Sequence, residues 1–225
     1  MDLLIVPEIF DNKAIAFFTG RTLGADPERL ADIARFEKQR IYLPIQKHTD
    51  KVLVLDSDMG PKIADAVITN RKDVLIGVQT ADCVPILLCD TRTHAIGAVH
   101  AGWRGTSTQI LTKTIRAMEE RFSSSAADIL VAIGPSIRGC CYNVGYEVIE
   151  SVTHSTGEGD YFEKKGEKYF LDLSSANRYQ AISSGILSDN IWLSGDCTFC
   201  LPEKYYSYRY TRGPVGRQGG FIGLL

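Results

Sequence analysis

The stretch "GVQTADCVPILLCDTRTHAIGAVHAGWRG", residues 77–105, decides how the chain folds. With the preceding residues it contains three apolar runs, "VLIGVQT", "VPILLC" and "AIGAVH", separated by Asp, Thr and Gly punctuation. Runs of that length, apolar almost throughout, suit strands covered on both faces rather than strands with one wet side. The same stretch leaves Cys83 and His100 at strand ends, where a rigid sheet presents chemistry to a loop.

Similar strand-length runs recur on both sides, as "KVLVLD", "ADAVIT", "ILVAIG" and a final "FIGLL". Helices interrupt them. "ADPERLADIARFEKQR" offers Asp26 as N-cap and Pro27 at the first helical position. From Thr106, the spacing of Ile110, Leu111, Ile115, Met118 and Phe122 predicts one long helix with a single apolar face. Further helices are expected from about Gly145 to His154 and over "DLSSANRYQAISSG", where Gly185 ends the run. "GEGDYFEKKGEK" reads as a charged loop or hairpin tip. No repeat or linker divides the chain. The expected fold class is α/β: a single-domain mixed β-sheet assembly flanked by helices over residues 1–225.

A chain of 225 residues, 44% of them hydrophobic, can bury a large core. Its 25 Lys plus Arg against 27 Asp plus Glu create no strong field, so neither nucleic acid nor an anionic membrane is an expected partner. The apolar runs fall far short of the roughly 20 residues of a membrane helix. The opening "MDLLIVPEIF" lacks a basic n-region and a cleavage site, and six cysteines in so long a chain are not needed as disulfide staples. A cytoplasmic location is the expectation.

Only four histidines are present: His48, His94, His100 and His154. His48, Cys83 and His100 together have the ligand chemistry of a catalytic zinc site, in which thiolate and neutral imidazoles leave one position open. Two other readings stand beside it. Cys83 and the histidines can be ordinary satisfied core residues, or Cys83 and His100 can form a thiolate and base as in cysteine hydrolases. Asp82, next to Cys83, is a candidate general acid or base, or a turn cap. Arg104 is a candidate anion contact, or a surface ion pair. The turn in "IGPSIRGCCYNVG" offers backbone amides to an anion. Cys197 and Cys200 form a CxxC pair suited to metal or redox chemistry but lacking a second pair. Cys140 and Cys141 are adjacent, and neighbours in a strand point to opposite faces, so the two are not expected on one metal.

Taken in order, "IQKHTDKV", "TADCVPILL", "GAVHAGWRG", "AIGPSIRGCCYNVG", "YFLDL" and "DCTFC" resemble the YfiH/YlmD family, also labelled polyphenol oxidase or laccase-domain proteins, over almost the whole chain. The resemblance implies a fold related to cysteine-hydrolase-like toxins and a zinc held by His48, Cys83 and His100; adventitious copper is an alternative occupant because copper outcompetes zinc for such ligands. It also implies phosphorolysis of inosine, guanosine, adenosine and methylthioadenosine, and deamination of adenosine. The partners are then purine nucleosides and phosphate. Asp82 would move protons in deamination, and Arg104 with turn amides would clamp phosphate. Gln46, Arg104, Ser136 and Tyr142 are the expected substrate contacts, with Arg138, Asn143 and Arg212 as further candidates. A conventional multicopper laccase is excluded, because four histidines cannot supply several imidazole-held coppers. An amide hydrolase acting on cell-wall precursors and a non-catalytic zinc-containing binding domain are the competing functions.

Overall fold

The computed structural model describes residues 4–34 and 36–225; Met1 to Leu3, and Arg35 within the first expected helix, lie outside the described residues. The chain runs through β1 (Leu4–Ile5), β2 (Ala14–Thr19), α1 (Pro27–Ala34), β3 (Ile41–Tyr42), β4 (Val52–Val54), β5 (Ala66–Thr69), β6 (Leu75–Thr80), β7 (Val84–Asp90) and β8 (Ala95–Ala101). It continues through α2 (Trp103–Ser107), α3 (Ile110–Phe122), β9 (Ile129–Ile133), β10 (Asn143–Val144), α4 (Tyr146–Thr156), β11 (Phe162–Lys165) and β12 (Lys168–Leu171). It closes with α5 (Leu173–Ser183), β13 (Ile191–Leu193), α6 (Tyr208–Thr211) and β14 (Gln218–Leu224). The strands form three sheets: a mixed five-stranded sheet ordered β1-β2-β14-β6-β3, a mixed six-stranded sheet ordered β13-β9-β7-β8-β5-β4, and a small antiparallel sheet β10-β12-β11.

Period-2 alternation sorts the core into layers. In β7, Ile86 and Leu88 face a cluster with Ile110, Leu111, Ile115 and Met118 of α3 and residues of α4 and α5. Leu87 and Cys89, between them, face Phe18, Ile76, Val78 and Ile222 of the five-stranded sheet. That sheet's far face, through Phe17, Leu75 and Phe221, covers Leu30 and Ala34 of α1. The layers therefore run helix, sheet, sheet, helix. Both faces of β7 and β8 are buried, as their continuous apolar runs require.

The helix expected from Thr106 is divided. Gln109 adopts a left-handed conformation with φ 59°, which ends the short α2 and starts α3 at Ile110. Asp26 caps α1 by accepting from the Glu28 N–H at 2.9 Å, and Asp172 caps α5 through the Ser175 N–H at 3.0 Å. Gly185, with φ 93°, follows α5 in the backbone region that favours glycine. The charged "FEKKGEK" segment is the exposed hairpin β11–β12, turning at Gly166. Among the described residues no helix is long and apolar enough to cross a membrane.

Leu87→Ala should lose about 2–5 kcal/mol of stability in urea unfolding, because the fully buried side chain leaves a cavity between two sheets. Leu187→Ala, at a side chain 54% exposed, should change it by less than about 0.5 kcal/mol. Equal losses would contradict the layer assignment.

Candidate active site

The two large sheets are joined by three residues. β6 ends at Thr80 in the five-stranded sheet, and β7 begins at Val84 in the six-stranded one, so Ala81, Asp82 and Cys83 make the crossing. β7 and β8 pair antiparallel with Pro85 opposite His100 and Val84 opposite Ala101. Extending that register by one residue sets Cys83 opposite Gly102, so Cys83 and His100 emerge on the face turned towards the other sheet. β5 pairs with β8 through Ala66 and Val99, which brings Asp65 beside His100. His48 arrives from the loop before β4. Ligand atoms of His48, Cys83 and His100 all lie within 4.8 Å of one another, with Cys83 Sγ 3.9 Å from His48 Nε2.

Asp65 organises this cluster. It is fully buried. Its Oδ1 lies 2.8 Å from His100 Nδ1 and accepts from the His48 N–H at 3.0 Å. Its Oδ2 accepts from the N–H of Thr49 at 2.6 Å, from the Thr49 hydroxyl at 2.8 Å and from the N–H of Lys47 at 3.2 Å. Burial by itself would raise this carboxyl, but the bonds from His100, Thr49 and Lys47 outweigh it and hold Asp65 well below the usual carboxylate range. An ionised carboxylate only accepts, so His100 Nδ1 is the donor and Nε2 is left for a ligand.

Burial also pushes the Cys83 thiol up, but His100 and His48 outweigh it and bring it down to about 6. Burial lowers His100, and the Cys83 thiolate and Asp65 together raise it to about 9. The metal-free pair is thus thiolate and imidazolium at neutral pH. A thiolate, two imidazoles and a carboxylate behind one of them is a donor set that fits zinc. Gly102 keeps the cradle open: a Cβ there would stand 2.9 Å from Cys83 Sγ and 3.3 Å from the His48 ring.

The cluster lies on the wall of a cavity of about 730 Å³ at the mouth between the sheets. Arg104, Arg209 and Arg217 also line it, and none of the three is paired with a carboxylate among the described residues. The Arg104 guanidinium sits over the Trp103 ring at 4.4 Å and that of Arg209 over Tyr142 at 5.0 Å. Burial and the charge on Cys83 push the Tyr142 phenol up to about 12, so it stays a hydrogen-bond donor. Thr80, whose buried hydroxyl has no partner among the described residues, lines the cavity as well.

Residues 22–225 match the model of the family described as multi-copper polyphenol oxidoreductase laccase. The chain belongs to this family. A purine nucleoside phosphorylase of Aquifex aeolicus (strain VF5) is 44% identical over 167 residues, covering 74% of this chain and 75% of that protein. Purine nucleoside phosphorylase YlmD of Bacillus subtilis (strain 168) is 34% identical over 209 residues, 88% of this chain and 75% of that one. The crystal structure of YlmD from Geobacillus stearothermophilus superposes with a TM-score of 0.87 at 30% identity, over 94% of this chain and 92% of the other. That of a Bacillus licheniformis hypothetical protein, YfiH, gives 0.91 at 26% identity, over 100% and 97%. The mixed α/β architecture is the one these laccase-family structures share. Copper in the family description is not matched by imidazoles here, since the two clusters of metal-type ligands among the described residues contain two histidines between them.

The fold thus brings together His48, Cys83, His100, Arg104, Gln46 and Tyr142 on one laccase-family cavity. Several expected roles need correction. Asp82 lines the cavity, but its Oδ1 accepts from the Thr198 hydroxyl and its Oδ2 from the Arg209 N–H, both at 2.7 Å. Those bonds hold the crossing at φ 88°, a strained value for a residue with a Cβ. Both carboxylate oxygens of Asp82 are thereby engaged within the protein. Gln46 spends its amide on the Gln79 backbone, at 2.8 Å in each direction. Ser136 is fully buried, its hydroxyl 2.7 Å from Ser174, and it is not on the cavity wall. Arg138 is held by Asp172 at 2.9 Å, Asn143 by the Tyr169 carbonyl at 3.1 Å, and Arg212 is exposed; none of them lines the cavity. Asp65, Arg209 and Arg217 were not singled out. The available signals were an aspartate directly ahead of "AVIT" and the arginines of the aromatic tail.

Asp65→Asn should weaken zinc binding about 10–100-fold in competition with a chromophoric chelator; unchanged affinity would contradict its orienting role. In metal-free protein, alkylation of Cys83 by iodoacetamide should stay fast at neutral pH and fall as the pH drops through about 6. A profile centred at the ordinary thiol value of 9.0 would overturn the thiolate–imidazolium pair.

Proposed function

We propose that this protein is a zinc-dependent purine nucleoside phosphorylase acting on inosine, guanosine, adenosine or methylthioadenosine. The observation that carries this reading is the sharing of one cavity by the His48, Cys83 and His100 cluster and three arginines that no carboxylate pairs among the described residues. The names of the Aquifex and Bacillus relatives support it.

Phosphorolysis joins a phosphate oxygen to C1′ of the ribose as the C1′–N9 bond breaks, and the departing purine takes up the proton that the attacking dihydrogen phosphate gives up, leaving ribose 1-phosphate and the neutral free base. Phosphate carries the charge that Arg104, Arg209 and Arg217 can hold, and fixing it against C1′ removes most of the entropic barrier to attack. Tyr142 and the Thr80 hydroxyl supply donors to the nucleoside. His48, Cys83 and His100 would hold zinc, which when bound supplies positive charge and Lewis acidity at the cavity wall. Phosphorolysis is favoured over adenosine deamination in the same cavity because three arginines line the space and the Aquifex and Bacillus relatives carry the phosphorylase name.

The Cys83 thiolate beside His100 favours a second reading, a cysteine-dependent amide hydrolase. The two readings separate in one set of assays, in which each nucleoside is incubated with and without phosphate and the products resolved by chromatography. Phosphate-dependent free base, lost on chelation, is the expected result. Arg104→Ala should raise the KM for phosphate about 10–100-fold. Base release without phosphate, or no release from any nucleoside by zinc-loaded protein, would overturn the reading. Amide cleavage blocked by zinc would establish the hydrolase instead.

A further inference from the structure

Away from the cavity cluster, a second group of ligands converges. Cys140 and Cys141, expected in a strand with opposed side chains, stand instead in a turn after β9. There the period-2 rule does not apply, and both thiols reach Cys197 and Cys200 from the turn after β13. The four Sγ atoms all lie within 4.8 Å of one another, with Cys200 at 3.7 Å from Cys140 and 3.1 Å from Cys141. Tetrahedral zinc with Zn–S bonds of ~2.3 Å sets its sulfurs about 3.8 Å apart. Cys197 Sγ also accepts from the Arg138 N–H at 3.4 Å.

We propose that Cys140, Cys141, Cys197 and Cys200 form a four-thiolate structural zinc site, separate from the His48, Cys83 and His100 cluster. Four sulfurs leave no open position, so the site is closed to substrate. Each thiol releases its proton to solvent as it binds. The site ties together the two loops that carry Tyr142 and Thr198. Tyr142 lines the cavity, and Thr198 holds Asp82 at the crossing between the sheets. A metal there would stiffen the cavity wall without touching substrate.

The test is zinc content of protein prepared anaerobically with reductant and loaded with zinc alone. Two zinc ions per chain are expected in the wild type, one in Cys200→Ser, one in Cys83→Ala and none in the double variant. A single zinc in the wild type that Cys200→Ser retains would overturn the site, and copper or iron in place of zinc would overturn the assignment to zinc. Should Cys200→Ser fail to fold, Cys83→Ala decides: one zinc is expected, and none would overturn the site. In zinc-loaded protein Cys140 and Cys200, both exposed, should resist alkylation until a chelator is added. Equal alkylation with and without chelator, or a disulfide among the four cysteines found by mass spectrometry, would contradict the proposal.

Discussion

The hydrogen bond from His100 Nδ1 to the buried carboxylate of Asp65 is the contact on which the site depends. The same carboxylate receives three consecutive backbone N–H groups, of Lys47, His48 and Thr49. One side chain thereby positions two of the three clustered ligands, from a strand and from a loop far apart in sequence. Its cost is the desolvation of a charge between two sheets, offset by a set of donors that satisfies both oxygens. Cys83 is placed independently, by the three-residue crossing, and the strain at Asp82 is held by Thr198 and Arg209.

That construction explains why the cavity sits where it does. Two sheets packed face to face leave no room between β7 and β6 except where the chain passes from one to the other. At that crossing side chains from both sheets converge, and Tyr208, Arg209 and Arg217 of the tail line the same cavity. Positive charge from the tail and thiolate from the crossing meet in a space large enough for a nucleoside and an anion.

Much of this was legible in residues 77–105. Apolar runs buried on both faces predicted β6, β7 and β8, and the residue types His48, Cys83 and His100 stood out because histidine is scarce and the ligand chemistry is specific. Other features depend on pairing that one sequence does not display. Asp65 meets His100 through the register of β5 on β8, and Arg209 and Arg217 reach the cavity from the segment ahead of β14, which lies between β2 and β6. The division of α2 from α3 at Gln109 was hidden because the apolar spacing continues on both sides of it. Cys140 and Cys141 were misread for the same kind of reason. The alternation of side chains holds in a strand, and these two residues lie in a turn. Ser136 is expected as a substrate contact and Arg138 as a further candidate, whereas the packing of α5 against their loop buries the first and pairs the second with Asp172.

The most direct measurement is a crystal structure of zinc-loaded protein with inosine and phosphate, recorded at the zinc absorption edge. An anomalous peak is expected bounded by His48, Cys83 and Nε2 of His100, with Nδ1 remaining on Asp65 and phosphate against Arg104, Arg209 or Arg217 in the same cavity. Zinc absent from that cluster, His100 turned to bind through Nδ1, or nucleoside bound elsewhere on the protein would contradict this arrangement.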